Sequence, residues 1–85
     1  MEKKILNYLV VLEPDTRSGT NEPCHAVYCP LLGLSDSGDT IEDALKNMQA
    51  LIEFHLKSLQ KENEPLPIEE SGKSMVATVQ VALGV

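Results

Sequence analysis

Cys24, His25 and Cys29 are the side chains of this chain best suited to chemistry, and their spacing decides what they can do together. A cysteine nucleophile needs a base within hydrogen-bond reach and a third group that orients the base. Cys24 and His25 are neighbours on a segment that reads as extended, so their side chains diverge. Cys24 and Cys29, five positions apart, fall on opposite faces and too far apart to form a disulfide with each other. His25 and Cys29 share a face, but two ligands without a second pair do not make a tetrahedral zinc site. The spacing therefore predicts small buried or half-buried thiols and a histidine at a strand surface or interface. His55 falls one position off an apolar helical stripe, which places it at a boundary with solvent.

The acids form the second group. Asp36, Asp39, Glu42 and Asp43 crowd the start of a helix. Two carboxylates there could hold a divalent ion, as nucleases do, with Asp36, Asp39 and Glu42 the residues concerned. Acids at a helix N-terminus are stabilising without any ligand, and that explanation suffices. Residues 5–12 contribute no carboxylate to complete a metal site. Glu62, Glu64, Glu69 and Glu70 read as a solvated acidic flank or as a landing surface for a cationic partner. No phosphate loop, nucleotide fingerprint, zinc motif or nucleophile elbow is present. Neither an enzymatic activity, a metal nor a cofactor is expected.

The elements that must position these residues follow from periodicity. Residues 5–12 alternate Leu6, Tyr8, Val10, Leu12 against Ile5, Asn7, Leu9, Val11, which predicts a strand apolar on both faces. Residues 13–23, rich in Asp, Ser, Gly, Thr, Asn and Pro, read as a hairpin loop. Residues 24–29 return as a second strand, ended by Pro30, and Leu31-Leu32-Gly33-Leu34 forms an apolar turn. Residues 35–37 make a short third strand. Gly33 and Gly38 bracket the turn as backbone positions requiring positive φ or close approach. Ile41, Ala44, Leu45, Met48, Leu51, Ile52, Leu56 and Leu59 recur at helical spacing. Thr40 is a suitable N-cap, with Asp43 three residues on, and Glu53 and Lys57 form a favourable pair at i,i+4. Asn63, Pro65 and Pro67 end the helix. A polar linker over residues 64–74 leads to a last strand over residues 75–83.

The predicted order is β-β-β-α-β: a small, mainly antiparallel α+β domain with one helix on one face of its sheet, spanning residues 1–85. Its 85 residues bury somewhat over ~60% of the unfolded surface, so the core is thin. Thirteen acids against seven bases give a net charge of −6, which argues against a phosphate-tracking surface and suits a basic protein partner. No apolar run approaches the roughly 20 residues of a membrane helix, and the short N-terminal apolar stretch lacks a small-residue cleavage site, so a cytoplasmic protein is expected. One helix leaves the other sheet face bare, with Ile5, Leu9 and Val11 or their counterparts on it. That surplus predicts a dimer or a partner.

The segment Pro30-Leu31-Leu32-Gly33-Leu34, followed by Gly38-Asp39-Thr40-Ile41-Glu42-Asp43-Ala44, resembles the HicB-like antitoxin family. Tyr28 before Pro30, Asn47, and Glu64-Pro65-Leu66-Pro67 after the helix fit the same pattern. The resemblance runs from Ile5 to about Pro67, and its motif positions are Pro30, Gly33, Gly38, Asp39, Thr40 and Ala44. It implies a partial ribonuclease-H-like or double-stranded-RNA-binding-like fold. It implies, as function, a protein that binds a small basic RNA-cleaving toxin (HicA-like), covers its active site, and forms homodimers or higher oligomers. Many members carry a further DNA-binding domain; this chain ends at Val85, so a short form without direct nucleic-acid binding is expected. Candidate partner contacts are Tyr28, Asp36, Asp39 and Glu42. The rival expectation is a solitary homo-oligomeric scaffold or small-ligand-binding domain with no toxin.

Overall fold

A computed structural model describes residues 5–69 and 77–84. It contains an antiparallel sheet of three strands, β1 (Val11–Thr16), β2 (Pro23–Cys29) and β3 (Leu34–Gly38), in the order β1-β2-β3, followed by a helix, α1 (Ile41–Lys61). The α+β class and the single helix on one sheet face are as the sequence predicts. The register places Leu12 opposite Val27 and Val27 opposite Asp36, and places Val11 opposite Tyr28 and Tyr28 opposite Ser35. Directly opposed residues share a face. Val27 and Cys29 therefore point to the helix, where they form the buried core with Ala44 and Met48. Tyr8, Val10, Leu12, Leu32, Leu34, Leu51 and Ile52 pack around it.

The strands differ from the sequence reading. The first strand lies at Val11–Thr16 rather than at residues 5–12. Pro30 ends β2, so residues 5–10 run past the end of their ladder partner. Pairing instead continues through Glu13, Pro14 and Asp15, opposite Ala26, His25 and Cys24. Pro14 lacks an N–H and is tolerated because β1 is an edge strand. The hairpin loop is correspondingly shorter; the Arg17 N–H donates to the Glu22 carbonyl at 2.9 Å, and Gly19 and Asn21 supply the positive φ angles of 85° and 58°. The predicted fifth element does not join the sheet: residues 77–84 form no strand and are exposed throughout. Met75 and Val76, with residues 70–74 of the predicted linker, lie outside the described residues.

The helix has the ends its sequence specifies. Thr40 is extended (φ −124°, ψ 167°) and its hydroxyl accepts from the Asp43 N–H at 3.0 Å. Asn63 takes φ 56°, its N–H donates to the Gln60 carbonyl, and the Glu64 N–H donates to the Leu59 carbonyl at 2.9 Å. That pair of hydrogen bonds around a left-handed residue is the Schellman stop, which satisfies carbonyls the helix leaves unpaired. Lys57 and Glu53 pair at 3.1 Å on the exposed side. Replacing Thr40 with Ala removes the N-cap acceptor and is expected to lower stability by about 1 kcal/mol, read as a fall in the urea midpoint at constant slope.

Candidate functional site, the uncovered sheet face

The alternation that buries Val27 and Cys29 under α1 turns Val11, Glu13, Asp15, Cys24, Ala26, Tyr28, Ser35 and Ser37 to the other side of the sheet. No helix of the described residues covers that side. Val11, Glu13, Ala26, Tyr28, Pro30 and Ser35 line a groove of about 390 Å³ on it. Tyr28 is 46% exposed, at the middle strand of the groove. The floor is apolar, and Glu13 and Asp15 of β1 set two carboxylates along one side. An apolar centre with a charged border is the anatomy of a protein-binding patch.

The four candidate contact residues do not share this surface. Tyr28 lies on it. Asp36 opposes Val27 and so points to the helix side of the edge strand, half-buried, its Oδ1 accepting from the Ser37 N–H at 2.7 Å. Asp39 is paired with Arg17 of the hairpin loop, which neutralises it and ties that loop to the helix start. Glu42 is exposed in the first turn of α1. Asp36, Asp39 and Glu42 are thus not gathered into one carboxylate site. No group of three or more His, Cys, Asp or Glu among the described residues is placed to hold a metal ion.

The carboxylates on the uncovered face, Glu13 and Asp15, escaped the sequence reading because Pro14 and Asp15 suggested a loop. The signal was the continued alternation Val11, Glu13, Asp15. Of the acidic flank, Glu69 reaches back, its Oε2 accepting from the Leu9 N–H at 3.3 Å, and Glu70 lies outside the described residues. Cys24 and Cys29 are free and buried.

The motif residues have structural duties. Gly33, at φ 67°, closes the turn by donating its N–H to the Cys29 carbonyl at 2.9 Å. A Cβ on Gly38 would collide with the backbone nitrogen of Ala44 and come within 2.8 Å of its Cα. Glycine at 38 and alanine at 44 let the helix start press against β3. Asn47 donates its side-chain amide to the Ser37 carbonyl at 2.8 Å and fixes the same contact.

Tyr8 lies on the helix side, its hydroxyl donating to the Pro67 carbonyl at 2.6 Å. Its pKa is raised above the ordinary 10.0, first by burial, then by the negative charges that Cys29 and Glu69 place nearby when ionised. A raised folded-state pKa gives stability that is complete below pH 10 and lost as the pH rises past it. Tyr8→Phe is expected to flatten the alkaline limb of a stability–pH profile above about pH 10, relative to wild type.

No helix of the described residues is long and apolar enough to cross a membrane. No family model matches the chain, and no solved structure matches it. The chain is similar to a UPF0150 protein, ssr1765, of Synechocystis sp.: 38% of 69 residues are identical, covering 80% of this chain and 81% of the relative.

Proposed function

The chain belongs to the UPF0150 protein family, and from that premise we propose that it is an antitoxin-type binding protein, a short HicB-like form that sequesters a small basic RNA-cleaving toxin. The observation that carries this reading is the uncovered sheet face, where Tyr28, Val11 and Ala26 make an apolar floor beside Glu13 and Asp15. A cationic protein docked there covers apolar area and meets opposite charge. The net charge of −6 draws it in from a distance. Inhibition is steric: the antitoxin occupies the toxin's active site and performs no chemistry itself. Two free thiols suit a reducing, cytoplasmic setting. The exposed segment 77–84 favours self-association alongside toxin binding.

Co-expression with a small basic open reading frame adjacent to its own gene tests the proposal. The expected result is rescue of growth from the basic protein and co-purification of the two. Neither rescue nor co-purification, or the absence of any such neighbouring frame, would favour a solitary homo-oligomeric domain instead.

A further inference from the structure

The chain carries both halves of an unmade strand pairing. One half is residues 77–84, which have no charged side chain and place Val79, Val81 and Leu83 on one parity, 87%, 75% and 79% exposed. Among the described residues nothing packs on them. The radius of gyration is 16.2 Å, against about 12 Å for a compact chain of this length, so part of the chain stands off the body. Strand-forming residues with unpaired N–H and C=O groups are a ready template for pairing with another chain.

The other half is the outer edge of β1 and its continuation through residues 5–10. Among the described residues no strand pairs with that edge, and residues 5–12 are as free of charge as the segment itself. The amide of Leu9 donates to the Glu69 carboxylate at 3.3 Å, a side-chain acceptor and not a strand. Beside the edge, Leu6, Tyr8 and Val10 face Leu45, Met48 and Ile52 of α1 across a groove of about 200 Å³. On that side of the helix Leu45 is 41% exposed. Pro14 limits the usable edge to the part before it, which is as long as the segment. The edge of β3 is a poorer acceptor, being five residues long and carrying Asp36.

We propose that residues 77–84 of one copy add as a strand to the residue 5–13 edge of a second copy, which returns its own segment in exchange. Reciprocal exchange about a two-fold axis closes both edges at once and leaves the Tyr28 face free. The inference rests on the self-association proposed above and not on the toxin.

The test uses the full chain. Sedimentation equilibrium near 100 µM is expected to show a dimer, and a mixture of isotope-labelled and unlabelled copies is expected to give intermolecular contacts between residues 77–84 and residues 5–13. Val81→Pro removes a ladder N–H from an exposed residue outside the folded body, so the helix signal in circular dichroism should be unchanged. It is expected to weaken the dimer at least ~10-fold. A wild-type monomer, or contacts only within one copy, overturns the exchange. A dimer unaffected by Val81→Pro also overturns it, while leaving self-association by another surface in place.

Discussion

Replacing Tyr28 with alanine is expected to weaken binding of the basic partner by about 30-fold or more, without loss of fold. Tyr28 stands on the central strand of the bare face, flanked by Val11 on β1 and Ser35 on β3, with Ala26 one pair along and too small to interfere. An aromatic anchor at the centre of an interface typically contributes 2 kcal/mol or more when truncated, and each 1.4 kcal/mol is tenfold in affinity. The side chain has no structural duty: it is turned away from the core of Val27, Cys29, Ala44 and Met48. Calorimetric titration of both proteins with the purified partner checks the ratio, and thermal melts check that the variant is folded. Charge reversal of Glu13 to Lys should act differently. It should slow association at low salt, and the difference from wild type should shrink as salt screens the approach.

The second large effect is on stability. Gly38→Ala is expected to remove about 3 kcal/mol, the upper part of the range for forced overpacking. The added carbon has nowhere to go: the atoms it meets are the backbone of Asp43 and Ala44, not the ends of flexible side chains. Relief requires the helix to lift from β3, opening the core at Ala44 and Met48. A domain of this size has only about 5 kcal/mol to lose, so the melting temperature should fall by more than ~10 °C. Gly33→Ala makes a useful comparison. Open space surrounds that position, so only the left-handed backbone opposes the change and the loss should be about 1–2 kcal/mol.

The helix and the corner before it were the legible part of this sequence. Apolar spacing, Thr40, Asp43 and Asn63 are local signals, and each does in the structure what its chemistry implies. The strand boundaries were less legible because pairing is decided by the partner. Residues 5–10 have strand character but outrun β2, and Glu13 to Thr16 look like loop yet pair because Pro23 to Ala26 lie opposite. The acidic candidates are dispersed in the structure for a related reason. Asp36, Asp39 and Glu42 are close in sequence, yet strand parity sends Asp36 to the helix side and Arg17, twenty-two residues earlier, claims Asp39. Glu13 and Asp15 border the bare face only because β1 extends further than its composition suggests. The last strand had a clear alternating pattern; a pattern specifies which residues share a face, not which chain supplies the neighbour.

The most direct measurement of whether the bare face is the docking surface is an amide chemical-shift titration of the labelled full chain with the purified basic partner. The largest changes are expected at Val11, Glu13, Ala26, Tyr28 and Ser35, with α1 little affected. Changes centred on α1, or none at about 100 µM partner, would contradict the account.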